Sequence, residues 1–136
     1  MKRAFTVVLS LLLPLGISLA QDVINEIPTA YSNGTDIVVQ WRTVSEASVA
    51  RFEIERASGT EGNFLLVGAV AARHVDNSSY EFVDRQVFKY AGGIYQYKVI
   101  VIMDDGKRLG TPFVTTVSHL SSTARRTWGS IKAMFR

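Results

Sequence analysis

The stretch DIVVQWRTVSEASVARFEIERA, residues 36–57, decides the fold class. Its first part places an apolar side chain at every second position, at Ile37, Val39 and Trp41, while Val38, Gln40 and Arg42 take the opposite face. In its last part, Phe52 and Ile54 alternate with charged residues. Because side chains of a β-strand point alternately to its two faces, this period of two predicts two strands with one buried face each. We expect Trp41 to lie in the core; its alternative role is a platform on which a sugar ring stacks.

Four further segments downstream have the composition of strands: NFLLVGAV (63–70), SYEFVD (79–84), GIYQYKVIVIM (93–103) and RLGTPFVTTV (108–117). Asp105-Gly106 separates the last two and predicts a tight hairpin turn, since this dipeptide tolerates the positive φ angles that such turns need. Short strands at this spacing, with turn signals between them, predict an all-β, antiparallel sandwich.

The region from residue 28 to residue 119 resembles the fibronectin type III-like domains found in exported proteins of Bacteroidetes-type bacteria. The residues that carry the resemblance are Trp41, Thr43, Ser45, Glu46, Phe52, Glu53, Ile54, Arg56, Tyr80, Phe82, Asp84, Tyr97, Lys98, Val99, Asp105 and Gly106. The resemblance implies an immunoglobulin-like or fibronectin III-like sandwich over residues 21–120. In that family such modules serve as spacers or binding units beside enzymes, adhesins or sorting domains, so the resemblance implies a fold more strongly than a function.

The N-terminal segment, residues 1–20, has the three-part layout of a secretory signal peptide. Lys2 and Arg3 form a basic start, Ala4–Leu13 is mostly apolar, and Ser18 and Ala20 supply the small residues of a cleavage site. We expect a signal helix that is cleaved after Ala20 and a product exported to the periplasm, the cell surface or the medium. A retained membrane anchor is the alternative, although the apolar run is shorter than the roughly 20 residues that a spanning helix needs. The chain contains no cysteine, which favours a bacterial exported protein stabilised by packing alone.

Charge is divided unevenly along the chain. Residues 21–120 hold nine Lys and Arg against twelve Asp and Glu, a formal charge of −3, whereas residues 121–136 hold four basic residues and no acid. A nucleic-acid-binding domain would concentrate basic side chains on its folded face, so we expect no nucleic-acid partner. The asymmetry predicts that residues 121–136 form a separate functional unit.

The C-terminal segment, SSTARRTWGSIKAMFR, predicts a short basic amphipathic helix. Ala124, Trp128, Ile131 and Phe135 recur at helical spacing. The candidate partner-binding residues are Trp128, Ile131, Phe135, Arg125, Arg126, Lys132 and Arg136. Such a helix is marginal in water, so residues 123–136 need a surface. Three surfaces compete: a groove on a protein partner, an anionic membrane, and the acidic body of the same domain.

Residues capable of catalysis are few and scattered. Ser78, His74 and Asp76 invite comparison with a Ser-His-Asp site, but such a site is recognised by geometry and not by proximity in sequence. Glu46, Glu53 and Glu55 are the candidate carboxylates for glycoside hydrolysis, and strand carboxylates more often pair with Arg or Lys across a sheet.

We therefore expect no enzyme activity, no cofactor and no metal. The predicted function is that of a small envelope or cell-surface adaptor, a non-enzymatic exported module that binds through its C-terminal helix. The alternative is a carbohydrate-binding or adhesion module that uses strand faces and loops to hold a polysaccharide.

Overall fold

The computed structural model describes residues 23–87, 93–111, 113–120 and 122–135. The predicted signal peptide, residues 1–20, lies outside the described residues. Within them the chain forms eight strands and one helix: β1 (Thr29–Ser32), β2 (Ile37–Arg42), β3 (Val49–Ser58), β4 (Leu65–Ala71), β5 (Ser79–Asp84), β6 (Gly93–Met103), β7 (Arg108–Gly110), β8 (Thr115–His119) and α1 (Ser122–Met134).

The strands form two antiparallel sheets. The smaller sheet has the order β1-β2-β5, and the larger has the order β4-β3-β6-β7, with β8 also pairing with β6. The sheets pack face to face, since the ring of Trp41 in β2 lies 5.7 Å from the ring of Phe52 in β3. The prediction of an all-β antiparallel sandwich followed by a short C-terminal helix is confirmed. Among the described residues no helix has the length and apolar character needed to cross a membrane.

The core lies between the inner faces of the two sheets. Ile37, Val39 and Trp41 are buried there, as their period-two spacing predicts, and so are Phe52 and Ile54. Trp41 stacks on Tyr80 with ring centres 5.3 Å apart, and Phe52 packs against both rings. These three aromatic side chains thus pack β2 and β5 of the small sheet against β3 of the large sheet.

Val38 lies on the outer face of the small sheet, yet only 4% of it is exposed. Its cross-strand neighbours are Tyr31 on β1 and Val83 on β5, so three apolar side chains adjoin on this face. The period of two therefore predicted correctly that Val38 lies on the outer face. It could not predict that Val38 is buried there, because that burial depends on neighbouring strands.

The predicted return strand 108–117 is two strands. β7 pairs with residues 100–102 of β6, while β8 pairs with residues 93–97 at its other end. Between them the hydroxyl of Thr111 donates to the carbonyl of Val99, at 3.0 Å, in place of a ladder bond. Pro112, which has no N–H to donate, lies outside the described residues. The turn at Asp105-Gly106 is as predicted, with Gly106 at φ 84°.

Candidate functional site

Glu46 is the centre of a buried hydrogen-bond network. Its carboxylate accepts bonds from the hydroxyls of Tyr80, at 2.7 Å, and Thr43, at 2.9 Å, and from the backbone N–H of His74, at 2.7 Å. Burial alone would raise the pKa of Glu46, but these donors outweigh burial and lower it. The pKa of Tyr80 is raised by burial and by its bond to Glu46. The network ties the β2–β3 connection to β5 and leaves Glu46 no room to act on a ligand.

Asp84 forms a second buried network at the opposite end of β5. The guanidinium of Arg56 contacts its carboxylate at 2.6 Å, and the hydroxyl of Tyr97 donates to the same oxygen at 2.9 Å. Burial would lower the pKa of Arg56, but the hydrogen bond and charge of Asp84 outweigh it and raise that pKa. Burial and the Asp84 charge likewise raise the pKa of Tyr97. The pair links the two sheets across the interior.

The other candidate carboxylates, Glu53 and Glu55, lie on the outer face of the large sheet and are paired. Glu53 bonds Arg51 at 2.8 Å and Arg108 at 2.7 Å, and the second arm of Arg108 reaches Glu55 at 2.7 Å. A carboxylate pair free to act as acid and base is not formed here, since both side chains are neutralised by guanidinium groups.

Ser78, His74 and Asp76 lie in one turn but point their functional groups elsewhere. The hydroxyl of Ser78 donates to the carbonyl of Val75 at 2.6 Å, and Asp76 accepts the backbone N–H of Glu46 at 3.0 Å. His74 is exposed and has a positive φ of 59°. These contacts shape the turn, and within the described residues no cluster of His, Asp and Glu has metal-ligand spacing.

An open cleft of about 460 Å³ lies beside the outer face of the small sheet; we call it the outer-sheet cleft. Its lining includes Glu26 and Ile27, on the chain that leads into β1, and Arg73, on the β4–β5 connection. The lining also includes outward residues of β2 and β5, among them Gln40, Arg42 and Glu81. This volume falls within the roughly 300–1,000 Å³ typical of ligand sites.

Three polar side chains of this cleft, those of Gln40, Glu81 and Arg73, are held in place. Gln40 Nε2 donates to Glu81 Oε2 at 2.8 Å, and Arg73 Nη1 donates to the carbonyl of Ser79 at 2.9 Å. The Arg73 guanidinium also lies over the Tyr80 ring, 4.5 Å from its centre. Sequence reasoning identified Gln40 and Arg42 as outward residues but missed the cleft, because the pairing of Gln40 with Glu81 depends on a strand register that spacing does not reveal.

The C-terminal helix presents its apolar side chains to solvent. Exposed fractions are 56% for Trp128, 39% for Ile131, 81% for Met134 and 85% for Phe135, and we call these four residues the apolar stripe. The ammonium of Lys132 lies 5.4 Å from the centre of the Trp128 ring, and Arg126 is also exposed. The side chain of Arg125 and the whole of Arg136 lie outside the described part of the chain. Of the predicted binding residues, the structure thus brings Trp128 and Lys132 together on an accessible surface.

Comparisons with known proteins support the fold and no more. No family model matches the sequence, and no curated protein matches it significantly. A Fn3-like protein from Clostridium thermocellum is 15% identical over 69% of this chain and 92% of its own, with a TM-score of 0.48. A family 76 glycoside hydrolase from a bovine Bacteroides thetaiotaomicron strain is 14% identical, with a TM-score of 0.55. The similarity to the hydrolase covers 73% of this chain but only 20% of that one, so it shows a shared β-sandwich fold alone.

Proposed function

We propose that this protein is a non-enzymatic, exported adaptor that docks onto a protein partner through the apolar stripe of α1. The observation that supports the proposal is the exposure of Trp128, Ile131 and Phe135, which remain accessible beside a folded sandwich. Large apolar side chains grouped on one surface are typical of an interaction site. The export part of the proposal rests on the layout of residues 1–20 and predicts a mature N-terminus at Gln21 by mass spectrometry.

A groove on a protein accounts for the pattern better than packing on the same domain. Trp128, Ile131 and Phe135 follow the i, i+3, i+7 spacing of helices that dock in grooves, with an aromatic residue at each end. Packing on the same domain would cover the stripe, whereas Met134 and Phe135 are more than four-fifths exposed. A 13-residue helix that contains Gly129 is weak in isolation, so a partner would also stabilise its fold.

We propose that the protein is not an enzyme because the side chains of each candidate catalytic group are engaged in contacts that stabilise the fold. Glu46 is enclosed by donors, Glu53 and Glu55 are ion-paired, and Ser78 bonds the backbone. We expect His74→Ala to leave the function intact. His119 is unsuitable for the same test, because it is buried and its Nδ1 bonds the Ser32 hydroxyl at 2.7 Å, so its loss would disturb the fold.

The test uses residues 21–136 as an affinity bait in envelope extracts, followed by binding measurements with each purified partner. Trp128→Ala should cost about 2 kcal/mol or more of binding, as expected for a central aromatic anchor. Leu65→Ala is the matched control, since Leu65 is an exposed apolar residue that belongs to β4 and not to the helix. Binding in a groove should depend only mildly on salt. Strong, salt-sensitive binding to vesicles of anionic phospholipid, with no partner affected by Trp128→Ala, would refute the proposal.

The second candidate function is that of a carbohydrate-binding or adhesion module. The outer-sheet cleft favours it, because it offers fixed polar side chains on a strand face outside the core networks. A chain lacking residues 121–136 separates the two functions. Retention of that chain on a polysaccharide column supports the second candidate, and loss of every partner with the helix supports the adaptor.

A further inference from the structure

We propose that the outer-sheet cleft binds a neutral oligosaccharide, which Gln40, Arg42, Arg73 and Glu81 hold by hydrogen bonds against Ile27. The inference rests on the second candidate function and assigns it a site and a ligand class. It does not involve α1, because the lining comes from the chain before β1, from the first residue of β1, from β2, and from the β4–β5 connection with β5.

The charges of the cleft select a neutral ligand. Glu26 and Glu81 contribute two carboxylates to the lining, and Arg42 and Arg73 contribute two guanidinium groups. A phosphate or a polyanion would meet the carboxylates, while a lysine-rich segment would meet the guanidinium groups. The lining therefore has no net charge, yet it is rich in hydrogen-bonding groups.

Those groups match the hydroxyls of a sugar. A hydroxyl both donates and accepts, and the Gln40–Glu81 pair places an amide and a carboxylate 2.8 Å apart on adjacent strands. The Arg73 guanidinium has five N–H donors, of which the bond to the Ser79 carbonyl uses one, so others are available for neighbouring hydroxyls. Because these side chains are already held, binding loses little rotamer entropy.

A peptide fits the same cleft poorly. Peptides bind sheets mainly by adding a strand at an open edge. β5 has such an edge within the small sheet. The fixed amide and carboxylate of the cleft, on Gln40 and Glu81, lie instead on the face of the sheet, and β2 is paired on both sides. A peptide would otherwise need apolar pockets. Within the described lining, Ile27 is the exposed large apolar side chain, at 63%, whereas Trp41 and Tyr80 are buried. One aliphatic side chain suits the apolar face of a single sugar ring.

The test measures binding of the chain 21–136 to hexasaccharides of glucose, mannose, galactose, xylose and N-acetylglucosamine by calorimetry. An oligogalacturonate and an unstructured lysine-rich peptide represent the charged ligands. The site variant is Gln40→Ala/Arg42→Ala, on the outer face of β2. The control is Gln96→Ala/Lys98→Ala, which removes a glutamine and a basic residue at the same spacing from the outer face of β6. Melting curves verify that both variants are folded.

We expect at least one neutral hexasaccharide to bind with a dissociation constant below about 1 mM. The site variant should lose at least tenfold in affinity, and the control variant and the chain without residues 121–136 should match the parent. If a sugar binds equally well to the folded site variant, carbohydrate binding stands but the site is refuted. If no neutral sugar in the panel binds, or a charged ligand binds in its place, the ligand class is refuted.

Discussion

Trp41 and Trp128, the two tryptophans of the chain, show how differently its two regions use the same side chain. Trp41 is 3% exposed and packs between Phe52 and Tyr80 at the centre of the sandwich. Trp128 is 56% exposed on α1, with the ammonium of Lys132 near its ring. An aromatic enclosed by its own fold stabilises that fold, whereas an exposed one is available to bind something else.

Charged residues repeat the contrast. In the sandwich, Glu46 and Asp84 are 2% and 1% exposed and are enclosed by donors from their own chain. On the helix, Arg126 and Lys132 are exposed. Glu46 and Asp84, two of the residues that give the sequence its fibronectin III resemblance, thus maintain the interior, which helps to explain why the resemblance implies a fold without a ligand.

The largest expected effect separates the two tryptophans. Trp41→Ala should lower the free energy of unfolding by about 3–5 kcal/mol, because it leaves a cavity beside the rings of Phe52 and Tyr80. Trp128→Ala should change it by less than about 0.5 kcal/mol, as for an exposed residue. Denaturant unfolding of both variants, followed by circular dichroism, measures the difference. If both variants lost the same unfolding free energy, the apolar stripe would have to pack on the sandwich.

Much of the sandwich was predictable because burial on one face leaves a local signature. The alternation around Ile37–Trp41 and Phe52–Ile54 predicted β2 and β3 and their inner faces correctly. The four-residue strand β1, with the sequence TAYS, was missed, since it is too short and too polar for alternation to identify. The last predicted strand is divided into β7 and β8 because each pairs with a different part of β6. Local sequence does not encode this pairing, so the division was not predictable.

The networks and the cleft were not predictable for a related reason. Arg56 and Asp84 are 28 residues apart, and Glu46 and Tyr80 are 34 apart, so only the tertiary fold brings each pair together. The helix is the opposite case. Its period is local, so the helix and the alignment of Trp128, Ile131 and Phe135 followed from residues 122–135 alone, whereas their exposure is known only from the structure.

The second prediction concerns the Glu46 network and its pH dependence. Glu46→Gln should cost about 1.5–3 kcal/mol at pH 7, since it removes a charged acceptor of several hydrogen bonds. The folded-state pKa of Glu46 lies below its ordinary value of 4.5, so the unfolded chain takes up the proton first. The stabilisation is therefore complete above that value and is lost as the pH falls through the folded pKa.

Urea unfolding between pH 7 and pH 3 measures this effect. The difference in unfolding free energy between the parent and Glu46→Gln should decrease as the pH falls. Glu61→Gln, at an exposed site in the β3–β4 connection, should have the same unfolding free energy as the parent at every pH. A gap that stays constant with pH would show that the loss comes from packing and not from the carboxylate charge.

The third prediction concerns the link between the sheets. Tyr97→Phe removes the hydroxyl that donates to Asp84 but keeps the buried ring, and Asp84 retains its contact with Arg56. A loss of about 1 kcal/mol in unfolding free energy is expected, the usual contribution of one hydrogen bond. Tyr31→Phe, on the half-exposed ring of β1, is the matched control and should be neutral. If Tyr97→Phe left the unfolding free energy unchanged, the contact with Arg56 alone would be enough to stabilise the buried carboxylate of Asp84.

The smallest expected effect is that of the whole C-terminal segment on stability. Deleting residues 121–136 should change the unfolding free energy by less than about 0.5 kcal/mol, because the apolar stripe is exposed in the folded chain. For a domain of this size that corresponds to a shift in melting temperature of no more than roughly 2–4 °C. Partner binding should nevertheless be abolished. A larger fall in melting temperature would mean that the basic helix packs on the acidic sandwich. Trp41 and Trp128 would then both stabilise the same folded domain and would differ only in how much each one contributes.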